Sequence, residues 1–471
     1  MNIAFVYKGR YQIRDAVVLE YLSAIAKKYG HATHLVYDQD IFGITDNVVC
    51  VPLLNRLFSK VSRTMHALFR KRPEAVVFLD GFQRTAWNRE VAQRVRESNP
   101  DLIRVCLSYG DPQDPADTYD HRLIGEPEHV WEGFLKQQAL GVDRGVYRSE
   151  GLADLDSLPP ADKDLFAPYV SFKDSYLIYT SKGCPYQCSY CEETVYKNRF
   201  KDGYFRRRSP ENVIGELESA KERFGVREVI YKDSVFAWDK GWLKEYLAEY
   251  KKRIDVPYKC FGKAESFNRE IASLLKESRC YCVEFGAQTF NETLKKDVLK
   301  RDEKTESLTR AFSVCDDHRL RYDIDHLFGI PGESREDHLA SARIYMGLRY
   351  LNRIKCHNLT YYRDAPIYEY APPEIKEDKD YRGDFFSSIS GSKEMREVNR
   401  AFQKYFKVLP MLGKRCNRYI LNKDRWRLFQ YIPSCIITVC MSLRALKNGD
   451  KRFLVYLTYY PRKVFQALRG A

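Results

Sequence analysis

The sequence predicts an α/β protein in three parts: a parallel sheet domain, a partial barrel of six βα units, and a mainly helical, basic C-terminal region. Three observations carry this expectation. Short apolar, partly β-branched segments alternate with helical periodicity from the first residues to about residue 370, as a parallel sheet covered on both faces requires. After about residue 170 the units lengthen and number six, enough for an open or partial barrel. Residues 414–471 carry thirteen Lys or Arg against Asp424 and Asp450, interleaved with aromatic residues.

The elements follow in order. Residues 2–7, 34–37, 75–79 and 102–107 read as strands, with helices at 17–28, 53–69, 88–97 and 127–138. This is a flavodoxin/Rossmann-like arrangement over residues 1–145, although no G-x-G-x-x-G follows the first strand and a nicotinamide site is unsupported. Residues 146–170, with Leu158-Pro159-Pro160, are punctuated as a linker. Residues 171–372 form the expected TIM-type barrel, with strands at 176–180, 228–232, 258–262, 282–286, 323–329 and 354–360. Helix 209–224 has Ser209 as N-cap, Pro210 at its first position and Gly225 as its stop. Residues 373–471 complete the chain as the basic, aromatic helical region.

The 471 residues allow two or three domains, and 44% hydrophobic with 30% charged residues suits a soluble globular protein. Thirteen cysteines at this length do not make a disulfide scaffold. The N-terminus runs straight into a strand-like segment, without a signal-peptide pattern. No apolar run approaches the roughly 18 residues that cross a bilayer; the nearest is 432–443. A cytoplasmic location is expected. The net charge of +14 is concentrated in the tail. Basic plus aromatic suits an anionic membrane surface, an acidic substrate or nucleic acid, and equally a helical subdomain with a solvated basic face.

Chemistry is concentrated in Gly183-Cys184-Pro185-Tyr186-Gln187-Cys188-Ser189-Tyr190-Cys191, a C-x3-C-x2-C spacing. Three thiolates this close can hold three irons of a four-iron cluster and leave the fourth open to a reacting molecule. Zinc is the main competing reading, but it usually takes a fourth Cys or His from a second paired motif, and the next cysteine is Cys260. Three unrelated core cysteines are the other alternative. The loop follows the first barrel strand, on the side where barrel chemistry sits.

The spacing, with Tyr190 before the last cysteine, resembles the radical S-adenosylmethionine (radical SAM) superfamily. The resemblance implies a [4Fe-4S] cluster on Cys184, Cys188 and Cys191 whose fourth iron chelates the amino and carboxyl groups of SAM. One electron then breaks the bond to C5′, and the 5′-deoxyadenosyl radical abstracts a hydrogen atom from substrate. The segment Phe285-Gly286-Ala287-Gln288-Thr289-Phe290-Asn291 is similar to one whose glutamine contacts SAM, and Lys300 and Arg301 both stand near the position of a family arginine. Asp325-His326-Leu327-Phe328-Gly329-Ile330-Pro331-Gly332-Glu333 resembles the fifth-strand motif, which implies Asp325 and Gly329 as neighbours of the ribose and adenine. Asp233 ends the second strand near the implied methionine amino group, and Lys263 stands where relatives carry arginine.

The N-terminal part, with Gly125-Glu126-Pro127-Glu128, resembles the cobalamin-binding-domain branch, many of whose members are methyltransferases. That implies corrin near Tyr109, Gly110 and Asp111 and near residues 82–84. The chain departs from the branch at Tyr7-Lys8-Gly9-Arg10, at Tyr109-Gly110-Asp111-Pro112, and at Asp38-Gln39-Asp40-Ile41-Phe42-Gly43, which lacks the histidine of a cobalt-ligating D-x-H-x-x-G motif. Cys356, on the sixth strand, is a candidate hydrogen-atom donor to a substrate radical. Cys416, Cys435 and Cys440 are open to an auxiliary cluster or to packing, and the remaining cysteines read as core.

The expected function is reductive cleavage of SAM followed by cobalamin-dependent methylation of an unactivated carbon in a natural product, peptide or lipid. A corrin-free radical SAM enzyme of cyclisation, epimerisation, desaturation or rearrangement type is the alternative. A zinc-bound, non-catalytic RNA- or membrane-binding protein is the third reading. The implied partners are the substrate, an external one-electron reductant of flavodoxin or ferredoxin type, and an anionic membrane touched peripherally by the tail; nucleic acid is not expected.

Overall fold

Ile3, Ala4, Phe5, Val6 and Tyr7 are all buried, and a segment apolar on both faces belongs inside a covered sheet. It forms β1 (Asn2–Lys8) of a computed structural model that describes residues 1–9, 11, 14–43, 52–81, 84–110, 118–137, 140, 144–201, 203–378, 381, 391–448, 461, 464 and 465. There follow α1 (Arg14–Lys28), β2 (Ala32–Asp38), α2 (Pro52–Phe58), α3 (Val61–Arg70), β3 (Ala75–Leu79), α4 (Thr85–Ser98), β4 (Ile103–Ser108), β5 (His121–Ile124), α5 (Pro127–Lys136) and β6 (Gly145–Arg148). The six strands are parallel in the order β2-β1-β3-β4-β5-β6. Direction of winding reverses between β1 and β3, the crevice where such sheets take ligands. Trp87, Val91 and Val95 of α4 pack on Ala4, Val6, Val76 and Phe78 on one face. On the other, α5 joins α1 through Trp131 Nε1, which donates to Leu22 O at 3.0 Å.

Three local readings change. The single helix expected over 53–69 is α2 and α3, interrupted where Ser59 Oγ donates to Asp38 at 2.5 Å and accepts from Lys8 Nζ at 2.9 Å. Strands β5 and β6 were not foreseen, because His121, Arg122 and Arg148 interrupt their apolar signal. The boundary drawn at 145 falls at the start of β6, and the compact unit comprises Met1–Phe172 with Asn198–Tyr204. Segment 146–170 is packed rather than spanning. Phe166 is fully buried, 6.0, 5.0 and 5.4 Å from the rings of Tyr7, Tyr11 and Tyr37. Lys163 Nζ donates to buried Glu20 at 2.6 Å, and Ser23 Oγ donates to Asp162 at 2.5 Å.

The second compact unit comprises Lys173–Lys197 with Phe205–Thr458. It contains β7 (Tyr176–Ile178), the hairpin β8 (Ser181–Lys182) and β9 (Arg206–Arg207), α6 (Glu192–Phe200) up to Lys197, α7 (Pro210–Phe224), β10 (Val229–Tyr231), α8 (Lys240–Glu249), β11 (Tyr258–Gly262), α9 (Arg269–Glu277), β12 (Cys280–Gln288), α10 (Thr305–Asp317), β13 (Arg321–Phe328), α11 (Arg335–Gly347) and β14 (Leu351–Asn358). Six of the strands are parallel in chain order, β7-β10-β11-β12-β13-β14. Ser209 accepts from Asn212 N at 3.3 Å to start α7, and Gly225 stops it at φ 62°. Phe285 and Tyr322 point at Phe312 of α10, 5.8 and 5.2 Å away. Alternation therefore turns Lys259, Glu284, Asp323, Asp325 and Lys355 to the opposite, interior face. There Lys259 Nζ lies 2.7 Å from Asp323, Arg353 Nη2 lies 3.1 Å from Asp323, and Lys355 pairs with Glu284.

Beyond the barrel come α12 (Pro373–Glu377), α13 (Lys393–Val408), α14 (Lys414–Asn422), a 3-10 turn (Arg425–Tyr431) and α15 (Ser434–Lys447). Phe406 of α13 packs 5.0 Å from His326 and 5.7 Å from Phe328, and Trp426 stacks on Phe402 at 4.4 Å. No single helix among the described residues is long and apolar enough to cross a membrane; the turn 425–431 with α15 passes by length and composition only as a pair bent by 109°.

Lys163→Met leaves the Glu20 carboxylate buried without its cation, so the first unit should lose about 3–5 kcal/mol of stability. Urea unfolding followed by near-ultraviolet circular dichroism measures it, and a loss under about 1 kcal/mol would mean that 146–170 does not hold this unit together.

Candidate metal and cofactor site

Strand β7 and the β8–β9 hairpin deliver the cysteine loop, and Gly183 turns into it at φ 84°. The loop is held by its own backbone and by its neighbours. Cys191 N donates to Cys188 O at 3.1 Å, Thr194 Oγ1 donates to Cys188 O at 2.8 Å, and Lys197 Nζ donates to Pro185 O at 2.6 Å. Ser189 docks it on the residues after β12, donating from N to Leu299 O at 2.9 Å and from Oγ to Val298 O at 2.6 Å. Cys184, Cys188 and Cys191 are half-buried. Burial pushes the Cys184 thiol up, while Lys263 and Lys197 draw it back.

Arg301 connects this loop to the barrel. Its Nη1 lies 3.8 Å from Cys188 Sγ and donates to Tyr190 Oη at 3.2 Å; its Nη2 donates to Gly286 O and to Glu303, both at 2.7 Å. Burial opposes the guanidinium charge, yet Tyr190, Cys188 and Glu303 hold it above its ordinary range. Glu303 is buried with its carboxyl held below the usual range, because Arg301 and Lys263 outweigh burial. Lys263 Nζ lies 3.1 Å from Glu303, 3.3 Å from Glu265 and 4.5 Å from the centre of the Tyr186 ring. Of the two basic candidates, Arg301 is therefore in the site, whereas Lys300 is exposed.

Gln288 closes the same corner. Its backbone is left-handed, φ 63°, and a Cβ on Gly286 would stand 2.6 Å from its Nε2 and 3.8 Å from Arg301 Nη1. Only glycine at 286 leaves that amide its place. Asp325 lies at the interior end of β13 with His357 Nε2 3.6 Å from its Oδ1, and burial followed by the Glu284 charge pushes its carboxyl up. Gly329 takes φ 81° and donates from N to Glu333 Oε2 at 2.8 Å.

Other expected residues stand elsewhere. The buried Asp233 carboxylate is taken up by Thr180 N at 3.0 Å, Thr180 Oγ1 at 2.6 Å and Ser181 Oγ at 2.5 Å. It fixes the entrance to the cysteine loop. Cys356 points away from the interior: its parity on β14 is opposite to Lys355 and His357, and Sγ lies 3.5 Å from Gln403 O of α13. Burial pushes that thiol up to about 12; its placement against α13 opposes the expectation of a donor facing substrate. Cys416 and Cys435 are exposed. In the first unit Tyr109 and Gly110 follow β4, while Asp111 and residues 82 and 83 lie outside the described residues. Arg84 is buried, 2.5 Å from Asp15 and over the Tyr7 ring at 5.1 Å. Beyond β1 and β2, Lys8 pairs with Asp40 at 3.3 Å and Asp38 at 3.8 Å. Glu303, Tyr186 and Gly286 were not singled out as site residues; the signal for Glu303 is an acidic residue two positions after Arg301, the spacing that shares one side of an extended segment.

The donor set fits a multinuclear cluster. A single zinc with sulfurs at about 2.3 Å needs its ligands within about 4 Å of one another. The groups of described ligand atoms that lie within 4.8 Å of one another do not include the three thiols. Three thiols that do not gather in such a group suit separate irons of one cluster with one corner open.

Residues 178–343 match the family model of the radical SAM superfamily. They form a radical SAM domain. Among curated proteins, the chain is similar to an uncharacterized methyltransferase of Pyrococcus horikoshii, 24% identical over 191 residues, covering 40% of this chain and 40% of the relative. It is also similar to the bacteriochlorophyllide d C-12(1)-methyltransferase of Chlorobaculum tepidum, 24% identical over 226 residues, covering 46% and 48%. The chain thus spans less than half the length of each of these relatives. Among solved structures it shares its fold with the radical SAM methyltransferase TsrM of Kitasatospora setae. The form with tryptophan substrate and a SAM analog matches with TM-score 0.58 at 17% identity, over 78% of this chain and 74% of that one. The form with cobalamin and a [4Fe-4S] cluster gives 0.56 at 17%, over 78% and 73%.

In the radical SAM domain, Arg301→Met should weaken iron retention about 10–100-fold, as loss of a group that orients metal ligands does. Lys300→Met should leave it unchanged. Iron per chain after anaerobic desalting reads both, and equal losses would remove Arg301 from its role beside Cys188.

Proposed function

We propose that the chain reductively cleaves S-adenosylmethionine at a [4Fe-4S] cluster on Cys184, Cys188 and Cys191, and that it is a cobalamin-dependent methyltransferase. The substrate is an unactivated carbon of a natural product, peptide or lipid. The observation that carries the reading is the three-thiol loop joined by Arg301 to the end of β12. The relatives named as methyltransferases and the fold shared with a cobalamin-bound radical SAM enzyme support the methyl-transfer part.

When bound, these groups supply one-electron and methyl-transfer chemistry. The residues of the chain orient and neutralise. Arg301 keeps a permanent cation beside the Cys188 sulfur, and Glu303 balances it so that the pocket does not hold an unpaired buried charge. Gln288 and Lys263, at the carboxyl ends of β12 and β11, and Asp325 within β13 offer an amide, a cation and a carboxylate to the amino-acid and ribose parts of SAM. Asp233 acts by positioning the loop. In the first unit, corrin is assigned to the carboxyl ends of the strands beside Tyr109 and Gly110, and the segment 38–43 offers no imidazole to cobalt. An external reductant of flavodoxin or ferredoxin type supplies the electron, and the thiolate ligands support a reducing, cytoplasmic setting.

A peripheral contact with an anionic membrane is supported by α15, where Ile436, Val439, Leu443 and Leu446 are exposed beside the basic tail. Full-length protein should sediment with anionic vesicles and not with neutral ones; equal sedimentation with both refutes the electrostatic contact.

Anaerobic protein given cobalamin, SAM, reductant and a cell extract should yield 5′-deoxyadenosine together with S-adenosylhomocysteine by mass spectrometry, and both should vanish in Cys188→Ala. A cobalamin absorption band should survive desalting. 5′-Deoxyadenosine without the second product, and no retained corrin, would replace methylation by a corrin-free radical reaction; neither product would overturn the whole proposal.

A further inference from the structure

Unit two holds a second set of metal-type ligands outside the cysteine loop. His326 on β13 and His338 on α11 are fully buried, and the side chain of Glu333 between them is 2% exposed. Each residue offers one ligand atom, and these atoms all lie within 4.8 Å of one another. His326 Nε2, Glu333 Oε1 and His338 Nδ1 are buried and have no hydrogen-bond partner, a condition native structures rarely leave unexplained. The second polar atom of each side chain is held. His326 Nδ1 lies 2.8 Å from the Tyr345 hydroxyl, His338 Nε2 lies 2.8 Å from Asn399 Oδ1, and Glu333 Oε2 accepts from Gly329 N at 2.8 Å. His326 keeps one ring nitrogen fixed by a polar group and the other free, as metal-bound histidines do, whereas His338 Nε2, held by Asn399, is also the atom that stands 3.6 Å from Glu333 Oε2.

We propose that His326, Glu333 and His338 bind one divalent transition ion of the zinc class, distinct from the cluster on the cysteine loop. Two imidazoles and one carboxylate are ligands such ions accept. Zinc has no redox chemistry of its own, and the surrounding rings of Phe328, Phe402 and Phe406, 4.8 and 5.1 Å from His338 and 5.0 Å from His326, leave the site enclosed. The ion is structural. It ties the end of β13 and the turn through Gly329 to α11, and through Asn399 to α13.

The test uses full-length protein carrying Cys184→Ala, Cys188→Ala and Cys191→Ala, so that retained metal does not report on the loop. Zinc should be retained at about one equivalent after desalting, and Co2+ exchanged for it should show ligand-field bands. His326→Gln and His338→Gln in that background should each lower retention about tenfold or more. Chelation should lower the melting temperature, and zinc but not Mg2+ should restore it. The proposal is overturned if the folded cysteine variant retains neither zinc nor cobalt, or if zinc survives both histidine substitutions. If the histidine variants do not fold, a melting temperature unmoved by chelation overturns it.

Discussion

A single guanidinium holds the centre of this molecule together. Arg301 touches a cysteine sulfur, a tyrosine hydroxyl, a strand carbonyl and a buried carboxylate at once. A planar fork with five fixed donors can do this, and an ammonium cannot. The constraint propagates outward. Glu303 must be buried to answer the cation, Lys263 must answer Glu303, and Gly286 must lack a side chain so that Gln288 can lie beside the guanidinium. The cysteine loop, itself short of regular structure, takes its position from these partners and from Ser189.

The barrel wall behind this corner is built differently from an apolar core. Its interior carries Lys259, Glu284, Asp323, Arg353 and Lys355 in mutual pairs. Burial alone would raise the Glu284 carboxyl, and the charges of Lys259 and Lys355 hold it well below the usual carboxylate range. Such pairs add little net stability over a well-packed apolar set. They fix the geometry of the strands whose ends present Gln288 and Asp325, and they leave the helix-facing side to aromatic packing.

The strand–helix alternation was legible because most barrel strands carry β-branched or aromatic residues, and the loop spacing of Cys184, Cys188 and Cys191 was legible because it is local. Parts of the site were not. Lys300 and Arg301 are adjacent in sequence, and only the left-handed turn at Lys300, φ 51°, decides which points inward. Asp233 ends its strand as expected, but the partners that consume its carboxylate lie more than fifty residues away at Thr180 and Ser181. Cys356 differs from its neighbours by one step of strand parity, which the pattern of a strand buried on both faces does not reveal. Strands β5 and β6 escaped because four-residue strands with basic residues carry almost no periodic signal.

The packing of Lys163 and Phe166 bears on how such chains are cut and recombined. A gene fusion or truncation ending at the last strand of the first sheet discards the cation of Glu20 and the aromatic plug among Tyr7, Tyr11 and Tyr37. A transplantable module therefore runs on at least to Phe172, some two dozen residues past the point where its sheet is complete.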